Sequence, residues 1–266
     1  MIDTHIHSLF STDSVMDAEE ACKKAISLGL GGIAFTDHLD YDYPGEDFLI
    51  DFDKYSEFMD NLKKKYNGTL KILKGVEVGI QPHVIDKSLE VTRKYGFDYV
   101  IGSIHIIDGM DPYTGGFYEG RSKEEAYGRY LKEILFMIDN FRDFDIAGHF
   151  EYITRYPDYE DRSLRYTDYS DIFDEIFRKL IYEGKGFEIN TASFRDRKGT
   201  RTTEFDTMLL KRYKELGGEI VSLGSDAHST EFLGYKFDIF SEILKEFGFR
   251  YVVYFEKRKP VFERIG

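Results

Sequence analysis

The chain has 266 residues, 42% hydrophobic and 32% charged, with five prolines, which is enough apolar mass for one large core and excludes a disordered or low-complexity protein. A formal charge of −13 repels polyanions and argues against nucleic acid as a partner. A small anion remains admissible where local cations or metal ions override that field, which salt screens beyond about 8 Å.

The lone cysteine, Cys22, excludes an internal disulfide and reads as a buried structural thiol. No apolar run reaches the roughly 18 residues of a membrane span. Met1-Ile2-Asp3 runs straight into the first strand-like segment, without the leader that a secreted chain would carry, so the expected compartment is the cytoplasm.

Along the chain, short β-branched runs alternate with stretches of helical period, the pattern of repeated βα units around a parallel sheet. Candidate strands are 2–7, 31–37, 71–79, 98–105, 144–149, 186–191 and 219–225. Candidate helices are 17–28, 53–66, 86–95, 122–141, 168–183, 203–216 and 236–247. In the fourth helix Tyr127, Tyr130, Leu131, Ile134, Leu135 and Ile138 form one apolar stripe, and Ser122 followed by Glu125 supplies a capping box. Gly29, Gly96, Gly184 and Gly217 follow helical stretches, where a left-handed residue ends a helix. A further strand-like run, Tyr251 to Phe255, precedes Lys257-Arg258-Lys259, expected to be a solvated end. The length suits a single α/β domain spanning 1–266.

The histidines carry the functional signal. Of seven, His5, His7, His38, His83, His105, His149 and His228, six close a candidate strand or follow one within a few residues. That is the rim where parallel α/β barrels build active sites. A period of two puts Asp3, His5 and His7 on one face of the first strand, with Asp3 placed to orient an imidazole from behind. Other strand ends add Asp37-His38, Glu77, His105, His149 and Asp226-Ala227-His228. Imidazole with carboxylate and no usable thiolate suits zinc, iron or manganese. A carboxylate such as Glu77 can bridge two ions, and ions about 3.5–4 Å apart can share a hydroxide that attacks phosphorus in line.

The series Asp3-x-His5-x-His7, Thr36-Asp37-His38, Gly75-Val76-Glu77, Ser103-x-His105, Gly148-His149 and Gly224-Ser225-Asp226-Ala227-His228 resembles the polymerase and histidinol phosphatase (PHP) superfamily. Gly148 to Tyr152, Glu188 to Thr191 and the closing Tyr254-Phe255-x-Lys257-Arg258-Lys259-Pro260 look most like its stand-alone histidinol-phosphate phosphatase branch. The resemblance implies a distorted TIM-like barrel of seven βα units with up to three divalent ions. One would take His5, His7, Glu77 and Asp226, a second Glu77, His105 and His149, and a third Asp13, His38 and His228. It also implies a small phosphorylated substrate, L-histidinol phosphate, hydrolysed to L-histidinol and inorganic phosphate.

Such a substrate needs a cation beside the metals, and arginine's planar fork suits phosphate oxygens. Arg155 and Arg195, in loops after the fifth and sixth strands, are the candidates, with Arg197, Lys198 and Arg201 nearby. His83, in Gln81-Pro82-His83, is a possible substrate contact, and the acid and tyrosine segment Asp40 to Asp47 could receive an imidazole and an amine. Glu77, His105, Asp226 and the two arginines are therefore the expected catalytic set. Three rivals are an amidohydrolase, which would place a lysine where His105 stands, a PHP-type nuclease or nucleotide phosphoesterase, and a non-catalytic metal-binding barrel.

Overall fold

The computed structural model describes residues 1–45, 48–196 and 203–266. Parallel strands β1 (Ile2–Ile6), β2 (Gly32–Phe35), β4 (Lys71–Gly79), β5 (Tyr99–Ser103), β6 (Ile146–Ala147), β7 (Gly186–Asn190) and β8 (Val221–Gly224) follow one another around the sheet in chain order. Short β3 (His38–Asp40) pairs with β4 in the register β2 has already set, so β2 and β3 act as one strand interrupted at Thr36-Asp37. The expected strand 31–37 therefore stops early and resumes. The break follows from Asp37, whose buried carboxylate accepts the backbone N–H groups of Ser8 and Ser11 and their hydroxyls.

The sheet nearly closes. Asp226 N donates to His5 O at 2.7 Å and His7 N to Ala227 O at 2.9 Å, joining the first strand to the turn after the last. Among the described residues seven α-helices lie outside: α1 (Ala18–Ser27), α2 (Phe52–Lys65), α3 (Ile85–Lys94), α4 (Lys123–Asn140), α5 (Ser170–Tyr182), α6 (Met208–Glu215) and α7 (Phe237–Glu246). Ser122 and Glu125 cap α4 reciprocally, as expected. The helix expected from 203 begins only at Met208, because the Asp206 carboxylate accepts the Met208 N–H at 3.0 Å and makes a turn of the preceding residues. Cys22 is buried in the helix-sheet layer, and burial pushes its thiol up to about 12. No helix among the described residues is long and apolar enough to cross a membrane.

The tail is not a solvated end. Strands β9 (Tyr251–Glu256) and β10 (Lys259–Arg264) form an antiparallel hairpin. Its two-residue turn, Lys257-Arg258, has both residues at positive φ, the handedness that matches strand twist. Arg258 pairs with Asp143 and Asp145. Val253 and Phe255 then pack with Ile2, Ala34, Leu73, Tyr99, Ile101 and Ile146 in a small core of their own. Each apolar side chain of this size contributes roughly 1.5–3 kcal/mol by leaving water. Most of those partners come from the strands' N-terminal halves, and the polar cluster falls at the C-terminal ends.

Candidate metal centre and active site

At that end the side chains converge on Glu77. Its Oε2 lies 3.2 Å from His5 Nε2 and 3.5 Å from His7 Nε2, while Oε1 lies 3.2 Å from His105 Nε2 and 2.9 Å from His149 Nε2. Asp226 Oδ1 approaches His7 Nε2 at 3.4 Å. Beside them Asp13 Oδ2 lies 3.0 Å from His228 Nε2 and 3.5 Å from His38 Nε2. Among the described residues three overlapping donor groups could each hold a metal ion: His5, His7 and Glu77; His38, Glu77 and His105; and His7, His38 and His228.

The chemistry of this set fits divalent ions. His5 Nδ1 lies 2.7 Å from Glu188 Oε1 and His105 Nδ1 lies 2.7 Å from Asp40 Oδ1. A carboxylate that accepts a hydrogen bond from Nδ1–H fixes the tautomer and leaves Nε2 as a lone pair. Both Nε2 atoms nevertheless face other imidazole nitrogens, His7 at 3.0 Å and His149 at 3.3 Å. Converging lone pairs in a buried site suit a shared cation. Burial, reinforced by His228 and His38, pushes His7 down to about 3. Burial would raise Glu77, yet His5 and His105 hold it well below the carboxylate range. The backbone at Asp226 is left-handed, φ 53°, a conformation that tertiary contacts must hold. Asp226 N bonded to His5 O does so here.

A cavity of about 310 Å³ opens onto the cluster. Its lining combines the His and carboxylate cluster, Asp13, His38, Asp40, Glu77, His105, His149, Asp226 and His228, with Arg155, Asp111 and the rings of Tyr43, Phe48, Tyr113, Tyr152 and Tyr156.

A family model for the PHP domain matches residues 3–192. The chain belongs to the PHP family. The PHP chain is 36% identical to a probable histidinol-phosphatase of Clostridium acetobutylicum, over 97% of this chain and 98% of that one. It is 36% identical to a histidinol-phosphatase of Lactococcus lactis, over 85% of this chain and 84% of the relative. Among solved structures, the histidinol phosphate phosphatase of Lactococcus lactis, complexed with zinc, L-histidinol and phosphate, superposes with a TM-score of 0.91 at 33% identity, covering 98% of both chains. The nearly closed parallel barrel is thus the fold of the PHP relative as well as the one the strand pattern implied.

Within this PHP cavity the expected phosphate partners separate. Arg155 is buried at the wall, with Nη1 3.1 Å from Asp226 Oδ2, Nη2 donating to Asn190 Oδ1 and Nε to Ser193 Oγ, both at 2.9 Å. Arg195 does not line the cavity. Its guanidinium donates to the carbonyls of Ser225 and Asp226 and lies 4.1 Å from the centre of the Phe232 ring, so it braces the Asp226 turn from behind. His83 is also off the cavity, exposed, with Asp42 Oδ2 3.1 Å from its Nε2. Arg197, Lys198 and Arg201 lie outside the described residues, as do Glu46 and Asp47.

Asp3 does not orient an imidazole. It accepts the N–H groups of Ser225 and Gly234, each at 2.9 Å, tying β1 to the end of the barrel. Glu188 takes the place expected for it. Asp111 was also missed: Tyr152 donates to it at 2.6 Å and Tyr43 donates as well. The signal available for it was a Tyr-rich loop leaving a strand end that carries His105.

Proposed function

We propose that the protein is a histidinol-phosphatase, hydrolysing L-histidinol phosphate to L-histidinol and inorganic phosphate in histidine biosynthesis, with up to three divalent ions of zinc, iron or manganese. The observation that carries this reading is Glu77, whose Oε2 faces His5, His7 and His38 while its Oε1 faces His105 and His149. The relatives named histidinol-phosphatase and the zinc, L-histidinol and phosphate in the Lactococcus lactis enzyme support it.

In this reading His5, His7, Glu77 and Asp226 hold one ion, Glu77, His105 and His149 a second, and Asp13, His38 and His228 a third. When bound, such ions supply Lewis acidity and lower the pKa of water toward neutrality. Asp13 fits its place electrostatically: burial would raise it, but hydrogen bonds with His228 and His38 hold it ionised far below the usual range.

The remaining groups bind and orient the ester. Arg155 presents a buried guanidinium at the cavity wall beside Asp226, placed to share phosphate oxygens and spread their charge as the bond from phosphorus to the ester oxygen breaks. Arg195 acts at one remove by holding the Ser225 and Asp226 carbonyls. The cavity lining also offers tyrosine rings and the buried Asp111 carboxylate, a surface suited to a flat imidazole and a cationic amine. Catalytic participation is accordingly assigned to Glu77, His105, Asp226 and Arg155.

A panel of phosphomonoesters, including histidinol phosphate, a sugar phosphate, a nucleoside monophosphate and an aryl phosphate, tests the substrate by kcat/KM. Histidinol phosphate should win by at least 100-fold. Preference for a nucleotide or sugar phosphate would overturn the substrate while sparing the phosphatase.

A further inference from the structure

We propose that Asp40 is a positioning residue whose single carboxylate aims two imidazoles belonging to different ions, His105 and His38, so that those two ions are held as a coupled pair while the ion on His5, His7 and Asp226 is held independently. This rests on the metal assignment above.

Asp40 Oδ1 lies 2.7 Å from His105 Nδ1 and Oδ2 lies 3.1 Å from His38 Nδ1. Glu77 Oε2, the other carboxylate oxygen near His38 Nδ1, is farther, at 3.4 Å. His105 Nδ1 is hydrogen-bonded to Asp40, whereas His38 Nδ1 and Asp40 Oδ2 are both buried with no hydrogen-bond partner among the described residues and lie 3.1 Å apart, so a small rotation of the ring pairs them. Both Nε2 atoms are then left as lone pairs. One faces Glu77 Oε1 and His149, and the other faces Asp13.

Local sequence accounts for half of this arrangement. His38 and Asp40 are two apart on β3, so period two puts them on one face. The other half is a vacancy in the neighbouring strand: Asp40 is in register with Gly79 of β4. A Cβ at Gly79 would collide with the Asp40 carboxylate and come within 3.0 Å of His105 Nδ1, so only glycine leaves this pair its space. The same device recurs at Gly224, where a Cβ would overlap Glu188 Oε1 and lie 2.5 Å from His5 Cβ. Glu188 serves His5 alone among the imidazole rings, from β7 on the far side of the cluster. Two outer carboxylates thus divide the cluster, one behind two ions and one behind the third.

The experiment is metal content by mass spectrometry on the full chain, loaded with zinc and equilibrated against graded chelator. Removing an outer partner costs about 10–100-fold in metal affinity. Asp40→Ala should lose two ions at about 10–100-fold less chelator than the unaltered protein and keep one. Asp40→Asn, which retains one acceptor oxygen, should weaken one ion only. Glu188→Ala should show the complement, one ion weakened and two kept. Far-UV circular dichroism confirms folding, and Asp40→Asn carries the test if Asp40→Ala does not fold. An Asp40→Ala protein that releases its ions at the same chelator concentration as the parent, or all of them together, overturns the coupling. A parent protein that binds no zinc overturns instead the metal assignment on which it rests.

Discussion

Replacing Glu77 by Gln keeps the shape of the side chain and removes its charge. In the folded protein Oε2 faces His5, His7 and His38, Oε1 faces His105 and His149, and Ser103 Oγ donates to Oε1 at 2.7 Å. The amide oxygen should therefore settle on the Ser103 side, facing His105 and His149, and the amide N–H₂ should face His5 and His7. There it donates to the His5 Nε2 lone pair and blocks the position. The His5, His7 and Asp226 ion should be lost while the fold survives, since the substituted group is buried and isosteric. Lewis-acid stabilisation is worth several kcal/mol; a loss of about 4 kcal/mol is about 10³-fold in rate. The assay is phosphate release from L-histidinol phosphate, with metal content and Tm measured on the same sample. A Glu77→Gln enzyme that keeps a full metal complement and more than about a tenth of its kcat/KM would refute the shared-carboxylate reasoning.

Other expectations concern the surroundings. Gly224→Ala should displace Glu188 and His5 and reduce kcat/KM at least about tenfold, whereas Gly116→Ala, whose Cβ would meet nothing within 4 Å, should leave rate and Tm unchanged; equal effects would discredit the close-approach account. Arg155→Met should weaken the phosphate contact by about 2 kcal/mol, about thirtyfold in kcat/KM, while His83→Ala changes neither kcat nor KM; the reverse ranking would place the phosphate elsewhere. Burial pushes the Glu151 carboxyl up to about 8, and its Oε2 has no hydrogen-bond partner among the described residues. The folded state then keeps a proton that the unfolded chain releases near its ordinary pKa of 4.5, so stability falls as pH rises from 4.5 to about 8. Glu151→Gln removes that slope, and its Tm advantage should grow across this window at about 2–4 °C per kcal/mol. A constant Tm difference would show that Glu151 is ionised throughout.

The proposed metal centre was legible because its candidate ligands are punctuated locally: His5 and His7 by period two, His38, His105 and His149 by following expected strands, and Asp226 and His228 by the turn that follows one. The outer layer was not. Glu188 behind His5 and Asp40 behind His105 are contacts between distant strands, and alternation along either strand says only that these side chains share its face. Asp3 shows the same limit in reverse, since the face was right but the partners proved to be backbone N–H groups across the barrel seam. Loop cations were read correctly only by position. Arg155 and Arg195 both leave strand ends, but the Phe232 ring and the Ser225 and Asp226 carbonyls turn the second away from the cavity. The first strand of the C-terminal hairpin was legible as the run Tyr251 to Phe255, but its turn and return strand escaped because Lys257-Arg258 occupies a turn that ordinarily selects Asn-Gly, and because what the hairpin covers, the barrel interior, exists only after the strands close.

Metal dependence of the reaction is the most direct test. Protein stripped with chelator and passed into metal-free buffer should release no phosphate from L-histidinol phosphate, and stepwise addition of zinc, manganese or iron should restore turnover in proportion to the ions bound, up to three per chain. Undiminished hydrolysis by the stripped protein would contradict the account.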